Sequence, residues 1–258
     1  MDIDDKQLRE LEKKVLAYRF RIKDADERKT YDEVFDHSTL MIIYDMMSSG
    51  IFDTLDFPIA TGKEGIVFRA TTPDGGFVAV KIYRISNATF NNMQKYIAGD
   101  ERFRNVGKSR RRAIFLWAQK EYRNLERMHA SGIPVPKPIK CVKNVIAMEF
   151  IGIDETPALH LKDTGTEDAQ PLYETLYDCI KRLYREVGLV HADFSEYNIL
   201  MRDEQPTIID VGQAVLKNHP MALEFLERDI KNLARYFRKY DIKADVQALK
   251  ADVLGGDG

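Results

Sequence analysis

The chain has 258 residues, with 39 Lys and Arg against 41 Asp and Glu for a formal charge of −2, so it can bury one sizeable core or two lobes and is not basic overall; DNA is no expected partner, and any contact with RNA would need a local patch. Only Cys141 and Cys179 are present, both in apolar surroundings, which suits core thiols in a reducing compartment and excludes a cysteine metal cage. The opening "MDIDDKQLRELEKK" is too charged for a signal peptide and no apolar run nears the roughly 18 residues of a membrane span, so the sequence reads as soluble and cytoplasmic, with no membrane partner.

In chain order, Leu8, Leu11, Val15 and Tyr18 recur at helical spacing and predict an amphipathic helix within residues 1 to 30. A second helix is expected from Ser38 or Thr39 to near Gly50. The period then changes. "FPIATGKEGIVFRATTPDGGFVAVKIYR" is rich in β-branched and aromatic residues and holds the turn signal "PDGG", so it reads as strand, loop, strand, turn, strand. Residues 86–108 lack periodicity and are expected as a loop. A helix follows from Ser109 to about Ala130, ended by "SGIPVP"; "KCVKNVIAMEFIG" reads as a strand leading to a glycine turn. Tyr173–Val187 reads as helix, as does the region from Pro220 to about Leu249. Strands in front and helices behind predict an α+β, two-lobed architecture, divided as 1–52 (helical extension), 53–150 and 151–258, with the junction near Glu149–Gly152.

The stretch "GLVHADFSEYNIL" places His191, Asp193 and Asn198 inside apolar sequence, and a further acid, Asp210, ends an apolar pair in "PTIIDVGQ". Asx side chains that shape a turn explain any one of these residues. They do not explain the set. Magnesium takes oxygen ligands from one or two side chains and completes its octahedron with phosphate and water oxygens. Asn198 and Asp210 can supply those ligands, which leaves Asp193 to orient or deprotonate a hydroxyl.

Upstream, "ATGKEGIV" (Gly62, Lys63, Glu64, Gly65) resembles a glycine-rich phosphate loop, although Ala60 stands where its first glycine is expected. Taken alone, it reads better as an ordinary hairpin turn. Lys81 closes the apolar strand "VAVK", where a lysine is either an edge gatekeeper or a phosphate ligand. On the following helix Glu121 lies on the apolar face, four residues from both Trp117 and Leu125, so it points inward and needs a cation. Lys81 is the expected partner, with Arg123 or Arg127 at the helix edge as the alternative.

Taken in order, Gly62/Gly65, Lys81, Glu121, Asp193/Asn198 and Asp210 resemble the protein-kinase template. The departures narrow the resemblance. Ala192 replaces the arginine after the histidine, Ser195 replaces a lysine, "DFG" is Asp210-Val211-Gly212, no "APE" follows, and only 46 residues remain after Gly212. With "HADFSEYN", "IDVGQ" and "HPMALEFLERD", the chain resembles the RIO family of atypical serine kinases, first subgroup, over roughly Phe57–Arg238. That resemblance implies a bilobal kinase fold, Mg-ATP or Mn-ATP, serine autophosphorylation, and a role on the pre-small ribosomal subunit, through protein or rRNA. It also implies an ATPase cycle in which Asp210 takes a phosphate. Asp193 and Asp210 become the catalytic residues, and Glu149 and Ile151 the hinge contacts to adenine behind Met148. Val67, Ala79, Leu200 and Ile209 would sandwich the base.

The basic run "KSRRR", Lys108–Arg112, is either a solvated helix start or an RNA contact, and Ser109 inside it is the expected phosphorylation site. Two other functions stay open. A small-molecule phosphotransferase shares the Asp…Asn loop but needs a larger C-terminal substrate domain, and an ATP-gated assembly factor needs the same nucleotide site as a kinase.

Overall fold

The computed structural model describes residues 34–85 and 109–255 together with Arg9, Met93, Tyr96 and Ile97. The helix expected within residues 1–30 lies outside them, apart from Arg9, as does most of the loop expected over 86–108. Met93, Tyr96 and Ile97 are nonetheless helical, with Met93 and Tyr96 buried, so the loop reading is corrected there. An apolar i, i+3, i+4 triplet is too brief to register as a period in sequence. The described residues fall into two compact units. The first takes those within Met1–Gln94, Asn105–Tyr122 and Pro138–Phe150, the second those within Lys95–Arg104, Arg123–Lys137 and Ile151–Gly258.

In the first unit, helix α1 (His37–Ser48) precedes strands β1 (Thr54–Thr61), β2 (Gly65–Thr71) and β3 (Phe77–Tyr83); helix α2 (Arg110–Ala130) follows, belonging to this unit as far as Tyr122, then β4 (Pro138–Val142) and β5 (Val145–Glu149). The five strands form one antiparallel sheet in the order β1-β2-β3-β5-β4. Asp36 starts α1 because its carboxylate accepts the Thr39 N–H at 2.8 Å. Pro58, which has no N–H to give a ladder, sits on edge strand β1 where the register shifts around it. Because side chains alternate across a strand, Ile66, Phe68, Val80 and Ile82 all go to one face and share a core with Ile42, Ile43 and Met46 of α1. Val67, Ala79 and Lys81 are thereby sent to the other face, with Val67 opposite Lys81 and Ala79 opposite Met148.

The stretch expected as one strand after Pro138 is a hairpin, since Lys143, at φ 50°, turns β4 back onto β5. Asn144 holds that turn from inside by donating to the Thr39 hydroxyl and the Tyr83 carbonyl. Nothing in a Lys-Asn pair carries the glycine signal of a tight hairpin.

The second unit holds short strands β6 (Gly152–Ile153), β7 (Thr156–Pro157) and β8 (Leu159–His160), and helices α3 (Leu161–Thr164) and α4 (Ala169–Arg182). Strands β9 (Leu189–Val190), β10 (Ile199–Arg202), β11 (Gln205–Ile208) and β12 (Val215–Leu216) follow, then α5 (Ala222–Phe237) and α6 (Val246–Leu254). A π turn, Leu183–Val187, ends α4 at Gly188, whose φ of 72° suits a residue without Cβ. The helix expected to run from Pro220 to Leu249 is interrupted. Asp241 takes φ 61°, and Asp245 caps α6 by accepting from the Gln247 and Ala248 N–H groups. Among the described residues no helix is long and apolar enough to cross a membrane.

Candidate active site

On the sheet face away from α1, Lys81 Nζ lies 2.7 Å from Glu121 Oε1, and the Tyr83 hydroxyl donates to the other carboxylate oxygen. Glu121 is 2 % exposed, so both oxygens are answered where an unmatched charge would be costly. Arg127, an alternative partner in the sequence, instead donates to the Val187 carbonyl at 2.8 Å. Val67, Ala79 and Met148 share the Lys81 face by register.

The glycine loop closes through the Gly62 N–H, which donates to the Gly65 carbonyl at 2.9 Å, and the Arg84 N–H donates to Glu64 O at 2.8 Å. A Cβ on Gly65 would fall 2.1 Å from the Ile82 carbonyl oxygen, whereas one on Gly62 would meet only Gly65 O at 3.8 Å. Gly65 is therefore required by the neighbouring backbone of β3. Lys63 is exposed. At the junction Glu149 is registered opposite Val78, and the Ile151 carbonyl accepts the Ala158 N–H at 3.0 Å.

In the second unit the β10–β11 hairpin turns through Asp203 and Glu204, both at positive φ, as tight two-residue hairpins require. At its open end the Ile209 N–H donates to Asn198 O at 2.9 Å, which brings Asn198 beside the segment that carries Asp210. The Asn198 amide nitrogen donates to the Asp193 carbonyl at 2.8 Å and to Asp193 Oδ2 at 3.0 Å, leaving its oxygen as the atom to offer a cation. Asp210 takes the left-handed conformation, φ 58°, ψ 52°, which Asp tolerates better than most residues. Leu200 and Ile209 are half-buried on the same hairpin.

His191 is buried and bridges the two motifs: its Nδ1 accepts the Asp193 N–H at 3.3 Å and its Nε2 is 3.2 Å from the Ile209 carbonyl. Those partners need a neutral ring with the proton on Nε2, and burial holds its pKa below the usual histidine value. Burial pushes the Asp193 carboxyl above the ordinary range, and the Asp210 charge adds to it. An acid raised in this way is better matched to taking a proton near neutral pH.

Four further residues hold this constellation. Asp229, fully buried on α5, accepts the Ala192 N–H at 2.8 Å and the Phe194 N–H at 2.9 Å, while Arg228 donates to the Ala192 carbonyl. Ala192 itself sits at φ 66°, a strained value for a residue with a Cβ. Asn232 donates to the Phe194 carbonyl at 3.0 Å, and Asn124 of α2 donates to the Val211 carbonyl at 2.9 Å. The signal for Asp229 was present in sequence, because it lies on the apolar face of α5 four residues from both Phe225 and Leu233, as Glu121 does on α2. Ser109 is exposed just before α2, with its hydroxyl 3.4 Å from the Arg112 N–H. Arg111 of the basic run is tied to Asp36 at 2.9 Å.

A sheet lysine locked to a helix carboxylate, and an aspartate–asparagine pair set beside a second aspartate on one hairpin, are how protein-kinase-like folds are laid out. The Rio2 kinase of Chaetomium thermophilum, solved as an ADP/Mg2+-phosphoaspartate complex, has the same fold, with a TM-score of 0.66 and 25% identity over 85% of this chain and 67% of that one. Residues 66–249 match the RIO domain, and the chain belongs to that family. The RIO-type serine/threonine-protein kinase Rio1 of Haloferax volcanii is 43% identical over 241 residues, covering 93% of this chain and 83% of the relative. Rio1 of Methanocaldococcus jannaschii is 37% identical over 96% of this chain and 84% of its own. The human serine/threonine-protein kinase RIO1 is 39% identical over 88% of this chain, which spans 40% of the human protein.

Proposed function

We propose that the chain transfers the γ-phosphoryl group of ATP to serine hydroxyls, its own included, and acts in the cytoplasm on the maturing small ribosomal subunit. The observation that carries the chemistry is the Asn198 amide, whose hydrogens bind Asp193 and whose oxygen, with the Asp210 carboxylate, makes an oxygen-only donor set that fits magnesium or manganese. The ion, when bound, neutralises charge on the phosphates. Lys81, fixed by Glu121, grips the α- and β-phosphates, and the Gly62 loop covers them. Glu149 O and Ile151 N–H meet adenine, with Met148, Val67, Ala79, Leu200 and Ile209 as its apolar surroundings. Asp193 accepts the serine proton as that oxygen bonds to the γ-phosphorus and the bond to the ADP oxygen breaks. Ser109 is the favoured autophosphorylation site. A phosphate there would stand at the N-terminus of α2 among Arg110, Arg111 and Arg112, which both the helix dipole and the guanidinium groups favour.

A second reading has its own observation, the phosphoaspartate carried by the C. thermophilum Rio2 kinase. In that reading an Asp210 oxygen attacks the γ-phosphorus, ADP leaves, and water hydrolyses the acyl phosphate, so the chain works as an ATPase that times an assembly step. Incubation with γ-labelled ATP and magnesium separates the two. Acid-stable phosphoserine is expected for the kinase, hydroxylamine-labile label and free phosphate for the ATPase, and neither product would reject both.

A further inference from the structure

We propose that the groove formed by the C-terminal half of α5 and the segment leading into α6 binds the phosphodiester backbone of single-stranded RNA, and that its occupancy is felt by the catalytic loop. The groove has a volume of about 610 Å³ and is lined by Lys231, Arg235, Arg238 and Lys243, with Asn232 and Ile242 among the remaining lining residues and no acidic side chain in its wall. In a chain of formal charge −2, four cations around one hollow are a local concentration of charge and not a share of a general excess.

The spacing favours a linear polyanion over a lone phosphate. Lys231, Arg235 and Arg238 follow one another at i, i+4 and i+7, which at roughly 1.5 Å rise per residue spreads them over about 10 Å along α5 and into the turn that follows it. Lys243, on the segment leading into α6, lines the same groove. Arginine offers paired donors to phosphate oxygens. The cations of the ion pairs already present are exposed, Lys231 with Glu227 at 2.6 Å and Arg235 with the largely buried Glu196 at 3.6 Å. Of the nearby acids, Asp245 is occupied by the N–H groups of α6, and Asp241 is exposed in the turn beside the wall.

The same wall reaches the active loop. Asn232 donates to the Phe194 carbonyl, and Arg235 pairs with Glu196, two residues from Asn198. A phosphate that draws Arg235 off Glu196 therefore alters what holds the "FSEYN" loop. The ribosomal reading supplies a setting for RNA, but binding and turnover are read apart, so either idea can fail without the other.

The test is a fluorescence-anisotropy titration of the full chain with a labelled single-stranded 12-nucleotide RNA across a salt series. Arg238→Glu/Lys243→Glu is the groove variant, and Arg110→Glu/Arg112→Glu the control. The groove variant should weaken binding at least 10-fold and flatten the log K against log[salt] slope by about 1.4, from about 0.7 for each of two lost phosphate contacts, with circular dichroism unchanged. RNA should also change wild-type ATP turnover at least 2-fold, and that response should be lost in Arg235→Gln. Full RNA affinity in the groove variant, loss confined to the control, or equal affinity for a phosphoserine peptide would overturn the site. An RNA response kept in Arg235→Gln would overturn the coupling.

Discussion

Lys81 and Glu121 each sit where an unpaired charge would be expensive, so the pair's value to folding and to chemistry can be separated. Lys81→Met keeps the bulk of the side chain and leaves Glu121 with Tyr83 alone. It should reduce ATP turnover by 10²-fold or more and destabilise the fold by about 3 kcal/mol, the scale for stranding one member of a buried pair. Adding Glu121→Gln should recover most of that stability, read by urea denaturation, without recovering turnover. Wild-type turnover in Lys81→Met would reject the assignment. Asp229 poses a different problem. Burial raises its pKa to about 7 from 3.8, although two backbone N–H groups favour its charged form. The folded chain therefore holds this proton more tightly than the unfolded chain does. Its contribution to stability is full below pH 3.8 and is lost as pH rises through 7, by a few kcal/mol at most. Against Asp229→Asn, the wild-type advantage in urea midpoint should shrink between pH 4 and 7; a constant or growing difference would contradict the buried-acid account.

Elements with a strong period or a marked end were readable from sequence. α1, the three strands around "PDGG", and α2 all follow from apolar spacing, and Lys81 and Glu121 were paired from the faces those elements imply. Other features depended on contacts far away in the chain. The β4–β5 turn rests on Asn144 reaching Thr39 and Tyr83, and the posture of Ala192 rests on Asp229, 37 residues on. No local propensity contains such partners. In the glycine loop the two glycines meet different surroundings. Gly65→Ala would drive a methyl into the Ile82 carbonyl and should cost about 1–3 kcal/mol in urea denaturation. Gly62→Ala has room and should change stability by less than about 0.5 kcal/mol, while raising KM for ATP. Equal destabilisation of the two variants would remove the distinction.

Across the whole chain the work is divided between two compact units. One carries Lys81, Glu121 and the Gly62 loop; the other carries Asp193 in a loop braced by α5, with Asn198 and Asp210 at the open end of the β10–β11 hairpin. Membership of the RIO domain family gives this division a context of serine/threonine kinases, and the central claim within it is that the two aspartates do different things. In the proposed reading Asp193 manages a proton, whereas Asp210 offers oxygen to a cation. The most direct measurement is a titration of a fluorescent ATP analogue, with and without magnesium, on Asp193→Ala and Asp210→Ala, alongside turnover. Asp193→Ala should keep magnesium-dependent affinity near wild type while turnover falls by roughly 10²-fold or more. Asp210→Ala should lose the magnesium dependence and any acyl phosphate. If Asp193→Ala loses metal-dependent binding and Asp210→Ala keeps it, the two roles are reversed or wrong.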